Sequence, residues 1–463
     1  MSKPPVLPGS GLPEETTADR AVQLALAGER DAALRWSAAI LRDDPAMPTA
    51  LCLTGRLLGE GGREEAAREA CTVAARRAID VENLPLAVAS AREAGRFGAD
   101  VGPLLDEIAE AFCKSSPRQG RGATPPIPLP PASEFSPLPS VLTGVALNNK
   151  ACELVHQAQR ALSESTRPPI GAVPLFSALD QPSLRELLEA LVPEWLPAGH
   201  TVIEQGAPGR AAYWVARGEL EARRATKSGG ARSAGGGPSP PGQPGPTISL
   251  ARLRGGSLFG EMALLSRAPR AGSVVSLRPS VVVRVDKSAL DRVAQRHPVI
   301  GTQLGEHCRD RMVQNLLRVS EVLRVVPERD LPALVSRFRI VCFEQQDKLV
   351  EQDQHPQGLF LVASGEVAIV RREGESDPLV LKTLGVGDVV GEVATILRRK
   401  TSAEVVAVHP TVTLFLETGA LLDLVKDHPV ILAELYLLAV HRDEETRAIL
   451  DEEASLAEDF DLL

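Results

Sequence analysis

The second half of the chain repeats itself, and this duplication limits the folds that are open to it. The pair Gly260-Glu261 recurs 131 residues later as Gly391-Glu392. A His-Pro-Val-Ile run that begins at His297 recurs at the same spacing from His428. Two equal spacings at separate places indicate two homologous units rather than one large domain.

The first copy carries an insertion. Upstream of the Gly-Glu pairs the spacing grows to 147 residues, as between Gly218-Glu219 and Gly365-Glu366. The 16 extra residues fall in a Gly-, Ser- and Pro-rich segment at 227–246, whose very low apolar content predicts a mobile loop. The two units then span 173–318 and 319–441.

Each unit has the pattern of an antiparallel β-roll. A short helix is followed by short alternating strands such as GLFLVASGEVAIVRR, which begins at Gly358. Next come the Gly-Glu loop, further strands and two closing helices. Short strands of alternating character with Gly turns are typical of rolls and barrels.

The region at 17–114 is rich in Ala and helical in its periodicity. Gly28 and Gly62 lie 34 residues apart, and each is followed by a similar Ala-rich segment. Pro45 ends the first of these repeated units. This period resembles the tetratricopeptide repeat, which implies stacked helical hairpins. A plain helical bundle is the alternative.

The remaining segments complete a domain outline. We predict a disordered N-terminus at 1–16, a Pro-rich linker at 115–140, a connecting helix at 141–172 and an acidic tail at 442–463. The Pro content of the linker argues against helix interiors and sheet ladders there. The predicted fold class is multidomain α+β: an all-α repeat-like N-terminal module followed by two antiparallel β-rolls of the jelly-roll type with flanking helices.

Charge and composition exclude several classes of function. The net charge is −9, and the segment from Asp443 to Leu463 carries −8 of it, so no basic footprint for nucleic acid exists. The six cysteines form no CxxC pair and predict reduced core thiols. No apolar run of 18 residues and no signal peptide is present, so we expect a cytoplasmic protein without membrane contact.

No set of residues predicts an enzyme. The eight histidines do not form the HxH…E set of a metal-binding roll enzyme, and no Ser/His/Asp arrangement emerges from the spacing. We therefore expect no catalytic residues, no metal and no cofactor. No helix-turn-helix follows either roll, which separates the chain from transcription regulators built on a similar roll.

The loop after the first Gly-Glu pair, FGEMALLSRAPRAGSV, has the residues of an anion site. It begins at Phe259. Arg270 follows a proline and can fork onto a phosphate, and Glu261 can accept hydrogen bonds from a sugar diol. Small residues that would let main-chain N–H groups approach a ligand are Gly260, Ala263 and Ala271. One cation and one diol acceptor favour a nucleotide with a single phosphate charge, and no GxxxxGK[ST] motif for a triphosphate is present.

This loop resembles the phosphate-binding cassette of cyclic nucleotide-binding domains, FGE-x-AL-(L/I)-xxx-PR-x-(A/G)-(S/T)-V. The resemblance implies that Glu261 binds the ribose 2′-hydroxyl and Arg270 the cyclic phosphate. Gly272 stands where Ala is usual. The full set of ligand-binding residues implied by the resemblance is Gly260, Glu261, Met262, Ala263, Arg270, Ala271 and Ser273. Because Ala271 lacks the hydroxyl that tends to favour cyclic GMP in this family, we expect cyclic AMP, with cyclic GMP as the alternative.

The second copy, VGEVATILRRKTSAEV from Val390, departs from the cassette. Glu392 remains, but Thr401 stands at the arginine position and Glu404 at the position of Ser273. A phosphate there would meet a carboxylate and no positioned guanidinium, and uncompensated charge is costly in a partly buried pocket. We predict a degenerate roll with a structural or dimerising role.

These features together predict a regulatory protein. Tandem rolls behind a helical module resemble kinase regulatory subunits. We expect a sensor or adaptor that binds cyclic nucleotide in the first roll and relays it to a protein partner through the helical module or the acidic tail. The alternatives are a scaffold whose rolls bind no nucleotide and, less in keeping with the residues, an enzyme.

Overall fold

The structure, a computed structural model, describes residues 16–123, 135–163, 168–173, 175–225, 247–262, 269–320, 327, 336–372 and 378–460. The predicted loop at 227–246 and almost all of the predicted disordered N-terminus lie outside these ranges. The chain divides into two compact units. The first consists of Met1–Glu204, Arg210–Glu261 and Gly272–Leu304, and the second of Gln205–Gly209, Met262–Ala271 and Gly305–Leu463.

The first unit begins with a helical module. Its helices are α1 (Thr17–Leu26), α2 (Arg30–Asp43), α3 (Pro48–Glu60), α4 (Glu64–Asp80), α5 (Leu84–Arg96), α6 (Gly102–Phe112) and α7 (Gly144–Ser163). Thr16 starts α1 with a capping box, in which its hydroxyl accepts from the N–H of Asp19. Gly28 and Gly62 both adopt positive φ at the turns before α2 and α4. The equivalent turns fit the repeated hairpins, whereas a tetratricopeptide identity stays a prediction.

Helices α1, α2, α3, α4 and α7 share a single hydrophobic core. Small side chains such as Ala38 and Ala74 let the helices approach closely, and Leu147 and Val155 of α7 belong to the same buried cluster. Thus α7, in the segment predicted as a connecting helix, packs on α2 and α4.

The predicted linker contains a short strand. Strand β1 (Gln119–Ala123) pairs in parallel with β2 (Ile170–Ala172), which the Pro content of 115–140 argued against. The pairing is possible because β1 ends before the first proline pair at 125–126, so its N–H groups remain available.

Roll 1 follows α8 (Gln181–Glu189). Its strands are β3 (Val192–Leu196), β4 (Thr201–Ile203), β5 (Ala211–Arg217), β6 (Glu219–Ala225), β7 (Thr247–Arg254), β8 (Leu258–Phe259), β9 (Ser273–Ser276) and β10 (Ser280–Asp286). They form two four-stranded antiparallel sheets, in the orders β3-β10-β5-β8 and β4-β9-β6-β7. Val215, Leu220 and Val282 fill the space between the sheets. Two helices close the roll, α9 (Lys287–Arg296) and α10 (Pro298–Val319).

The helical module packs on roll 1 within the first unit. Helix α5 contacts β3, β5 and β10. The side-chain amide of Asn83 donates to the carbonyl of Ala216 at 2.9 Å, and the indole N–H of Trp195 donates to Glu93 at 2.9 Å. One face of the module is therefore used inside this unit.

Roll 2 lies in the second unit and repeats the topology of roll 1. Its strands are β11 (Arg339–Phe343), β12 (Lys348–Val350), β13 (Gly358–Ser364), β14 (Val367–Arg371), β15 (Leu379–Leu384), β16 (Val389–Val390), β17 (Glu404–Ala407) and β18 (Thr411–Glu417). The sheet orders, β11-β18-β13-β16 and β12-β17-β14-β15, match those of roll 1 strand for strand. The helices are α11 (Glu392–Ile396), α12 (Thr418–Asp427) and α13 (Pro429–Phe460). The predicted α+β fold with two antiparallel rolls is confirmed, and α13 continues through most of the predicted acidic tail.

Candidate functional site

Both rolls make the same turn at the Gly-Glu pair. Gly260 follows β8 with φ of 78°, and Gly391 follows β16 with φ of 87°, a region that strongly favours glycine. A Cβ on Gly391 would also lie 2.8 Å from the carbonyl oxygen of Gly358. The carboxylates that follow, Glu261 and Glu392, are each only 2% exposed. The turn buries a carboxylate at the same position in each roll.

The main chain places Thr401 at the position of Arg270. The N–H and C=O of Arg270 bond to Gly206-Ala207, each at 2.9 Å. The N–H and C=O of Thr401 bond in the same way to Asp353-Gln354, at 3.0 and 2.9 Å. These bonds support the alignment of the two copies made from the sequence, so roll 2 has a hydroxyl where roll 1 has a guanidinium.

The other predicted site residues of roll 1 occupy varied surroundings. Met262, Ala271 and Ser273 are half-buried, Arg270 is buried, and Ala263 lies outside the described residues. Gly272 departs from the usual alanine for a steric reason: a Cβ there would lie 2.7 Å from the carbonyl oxygen of Arg223.

In roll 2 the buried carboxylate has a partner from the C-terminal helix. Arg442 of α13, 8% exposed, places Nη1 2.6 Å from Oε1 of Glu392 and also donates to the carbonyl of Val389. Burial raises the pKa of Glu392 above its ordinary value, although the charge of Arg442 acts in the opposite direction. The sequence offered no signal for this pairing, since the two residues lie 50 positions apart.

Glu404 of roll 2 is not the uncompensated charge that the sequence suggested. It is 3% exposed, and it pairs with Nζ of Lys348 at 2.6 Å and Nε of Arg372 at 2.7 Å. Burial works to raise the pKa of Glu404, but these two cations outweigh it and hold the pKa below its ordinary value. The cations come from Lys348 of β12 and from Arg372, which directly follows β14, whereas the sequence predicted no positioned guanidinium at this place. Antiparallel pairing of Glu404 with Val370 could have indicated Arg372, which lies diagonally on the same face.

Thr401 is committed to the main chain. Its hydroxyl donates to the carbonyl of Glu351 at 2.5 Å and accepts from the N–H of Gln354 at 3.0 Å. Roll 2 thus has no cation at the place where roll 1 has Arg270.

Two cavities border this part of roll 2. One, of about 70 Å³, is lined by Glu392, Thr401 and Arg442 among others. The other, of about 620 Å³, shares Thr401 but includes neither Glu392 nor Arg442, and Phe343, Phe360 and Phe415 line it. Both cavities border Gly391 and Thr401, and the Glu392 carboxylate lies at the smaller one.

Within the part of the chain that the structure describes, no group of three or more His, Cys, Asp or Glu side chains could hold a metal ion. No helix among those residues is both long and apolar enough to cross a membrane.

Comparison with known proteins finds similarity to one protein family in both rolls. The cyclic nucleotide-binding domain model matches residues 240–297 and 340–428, which lie in roll 1 and roll 2 respectively. The chain is 29% identical over 252 residues to the cAMP-dependent protein kinase regulatory subunit of Yarrowia lipolytica, covering 54% of this chain and 56% of that protein. It is 25% identical over 277 residues to cGMP-dependent protein kinase 2 of Mus musculus, covering 58% and 32%.

Among solved structures, the chain matches the regulatory domain of Toxoplasma gondii PKA with cAMP. It is 21% identical, with a TM-score of 0.27, and the match covers 58% of this chain and 92% of that one. The chain spans only about a third to just over half of the curated relatives named above. The matched parts of the two rolls are thus similar to cyclic nucleotide-binding domains, including those of a cAMP-dependent protein kinase regulatory subunit and of a cGMP-dependent protein kinase.

Proposed function

We propose that roll 1 binds cyclic AMP and that roll 2 binds no nucleotide, so that the chain senses cyclic nucleotide with one site. The observation that carries this proposal is the difference at one aligned position, Arg270 in roll 1 and Thr401 in roll 2. A cyclic nucleotide has one phosphate charge, and a forked guanidinium is the side chain best suited to it.

Titration calorimetry on the full chain tests the proposal. We expect about one cyclic AMP per chain, bound more tightly than cyclic GMP because Ala271 offers no hydroxyl to a guanine. Arg270→Ala should weaken binding by about 2–5 kcal/mol, since it leaves the phosphate charge unpaired. Arg270→Lys should fall between, because it keeps the charge and loses the fork.

The matched control is Arg284→Ala, another roll 1 arginine, which pairs with Asp286 at 2.7 Å and has no place in the cassette. It should leave the affinity unchanged. No binding by the unaltered chain would favour the scaffold function instead, and two equivalent sites would contradict the assignment of roll 2.

The output of the sensor is part of the same proposal. We expect a non-enzymatic, cytoplasmic protein that passes the signal to a protein partner. Because α5 is packed on roll 1, a protein partner of the helical module would bind the faces of the module that do not contact roll 1. Capture of partners by the full chain, with and without cyclic AMP, and with Arg270→Ala as the unresponsive control, tests this step.

A further inference from the structure

Roll 2 has apolar side chains at a place where roll 1 has an ion pair. In roll 1, Arg284 pairs with Glu194 at 3.1 Å and with Asp286 at 2.7 Å. Strand β18 pairs with β11 in the same register that β10 has with β3, which places Phe415 at the position of Arg284. By the same register, Val341 takes the position of Glu194. Two charges of roll 1 are thus replaced by a phenyl ring and an isopropyl group.

The larger cavity of roll 2 lies at these two positions. Val341 and Phe415 both line it, and its volume is about 620 Å³. The ring centroid of Phe360 lies 5.8 Å from that of Phe343 and 4.7 Å from that of Phe415, so three rings form one continuous wall. Small-molecule sites usually measure about 300–1,000 Å³. Aromatic rings favour offset-stacked and edge-to-face contacts with other rings, so this wall suits a planar aromatic ligand.

An exposed cation lies beside the aromatic wall. The guanidinium of Arg339, which also lines the cavity, lies 5.3 Å from the ring centroid of Phe415. Its ion pair with Glu417 spans 3.9 Å, and the two side chains are 68% and 70% exposed. An ion pair that is so long and so exposed contributes little, and Arg339 can therefore exchange it for an acidic group on a ligand.

Two other charges of the lining limit that acidic group. Nζ of Lys348 lies 2.6 Å from the buried carboxylate of Glu404, so this cation is already engaged. The carboxylate of Glu351 adds a negative charge to the lining. Because like charges repel across an interface, a ligand with one negative charge fits these surroundings better than a ligand with several.

We propose that roll 2 binds a small planar aromatic acid in this cavity, with its rings against Phe343, Phe360 and Phe415 and its acidic group at Arg339. The site goes beyond the cyclic nucleotide function proposed for roll 1. It includes neither Glu392 nor the cassette position of Glu404. Roll 2 then serves as a sensor for a different class of molecule.

The first experiment refills the cavity with the ion pair of roll 1. The probe is 8-anilinonaphthalene-1-sulfonate, an aromatic monoanion whose fluorescence rises in apolar surroundings, titrated into the full chain. In the double variant Phe415→Arg/Val341→Glu, Glu417 stands at the position of Asp286 and completes the roll 1 arrangement. We expect binding to weaken at least about tenfold, because two charged side chains replace part of the apolar wall.

The matched control is Val380→Arg, which adds a charge at an exposed position of β15 outside the lining. It should bind the probe as the unaltered chain does. Unchanged affinity in a double variant that still unfolds cooperatively would overturn the proposal.

The second experiment uses the unaltered chain and so does not depend on the folding of a variant. Hydrogen exchange is measured with and without the same probe. We expect it to slow at least about threefold in β11, in β18 and in residues 351–357, because a bound ligand opposes local opening of the segments that it contacts. Unchanged exchange in these three segments at saturating probe would overturn the proposal.

The exchange measurement is repeated with saturating cyclic AMP, which should leave the slowing intact. Loss of the slowing would overturn the proposal, because the probe would then occupy a nucleotide site. If the chain binds no cyclic AMP, the proposed function fails, whereas the exchange result without nucleotide still decides whether this cavity binds the probe.

The third experiment tests the acidic group. Arg339→Gln should weaken binding of the sulfonate about two- to fivefold, as expected for one exposed ion pair. It should leave binding of N-phenyl-1-naphthylamine unchanged, since this molecule has the same rings without the sulfonate. Arg337→Gln is the matched control, because Arg337 pairs with Asp427 at 2.9 Å and lies outside the lining. Equal weakening of both probes by Arg339→Gln would overturn the assignment of Arg339 to an acidic group.

Discussion

At the scale of single residues, the least expected feature is a buried ion cluster between the helical module and roll 1. Asp19 of α1 lies 2.6 Å from Arg217 and 2.8 Å from Arg278. All three side chains are almost wholly buried. Removing one member of such a cluster is costly because it strands the opposite charge.

Asp19→Asn tests this cluster. At neutral pH we expect a loss of about 3–5 kcal/mol in the free energy of unfolding, since both arginines lose their closest carboxylate. Burial works to raise the pKa of Asp19, but Arg217, the N–H of Thr16 and Arg278 outweigh it, so the pKa lies below its ordinary value of 3.8. The stabilisation is therefore fully present above pH 3.8 and disappears as the pH falls through the lower pKa of the folded state.

Urea unfolding between neutral and acid pH measures both effects. Asp43→Asn is the matched control, because Asp43 is exposed and, within the described ranges of the chain, pairs only with its neighbour Arg42. It should not change stability measurably. An equal loss for Asp19→Asn on both sides of pH 3.8 would contradict the role of its charge.

Single residues also mark what a sequence can predict about a site. The roles of Arg270 and Glu261 could be predicted from the sequence because the loop that carries them is short and its residues follow a fixed order. The role of Arg442 could not be predicted, because its partner Glu392 is remote in sequence and contacts it only when α13 folds back on the roll. The two cations at Glu404 lie between these cases, since strand pairing carries partial information about them.

At the scale of elements, Asn83 joins a helix to a strand. Its side-chain oxygen accepts from the N–H of Leu86 and so starts α5, while its amide donates to Ala216 of β5. One side chain thus sets both the beginning of the helix and its position on the sheet.

Two substitutions at this position separate the two roles. Asn83→Ala loses both bonds, and we expect a cost of about 2–4 kcal/mol from a lost cap and an orphaned buried carbonyl. Asn83→Ser keeps a capping oxygen but cannot reach Ala216, so its cost should be smaller by about 1 kcal/mol. Thermal unfolding of the two variants measures the difference, and equal losses would show that the cap contributes nothing.

The elements themselves were largely readable from the sequence. Period-2 patterns and Gly turns predicted the strands of both rolls, and identical sheet orders agree with the duplication. The packing of α7 into the first core was not readable, because an amphipathic helix does not reveal which surface it will cover. The same holds for α5 on roll 1.

At the scale of the whole molecule, α10 contains the last of the boundaries at which the chain passes between the two units. This boundary falls between Leu304 and Gly305, inside an unbroken helix. Ile300 and Leu304 are buried before this point, and Cys308 and Met312 after it. Val299, near the start of the same helix, is exposed. A continuous helix with a buried face on both sides is suited to carry a change in order along its length.

The last prediction concerns whether nucleotide acts on this helix. A ligand shifts a conformational equilibrium only through its different affinity for the two states, so any effect of nucleotide on α10 must work in reverse. Gly301 and Gly305 can both be changed to alanine without a clash, since an added Cβ meets nothing within 4 Å. The double substitution stabilises the helical conformation of α10 by about 0.5–1 kcal/mol for each residue changed, because alanine loses less conformational entropy than glycine on folding.

If nucleotide orders α10, the stiffened chain should bind cyclic AMP about three- to tenfold more tightly, and the nucleotide should slow hydrogen exchange across residues 298–319. Gly419→Ala in α12, where an added Cβ also meets nothing, should change neither the affinity nor the exchange of α10. The double substitution could raise thermal stability but leave the affinity for cyclic AMP unchanged, with the same exchange of α10 in the presence and absence of the nucleotide. That result would show that roll 1 does not signal through α10. The signal would then have to leave through the helical module, which α5 and Asp19 already bind to roll 1.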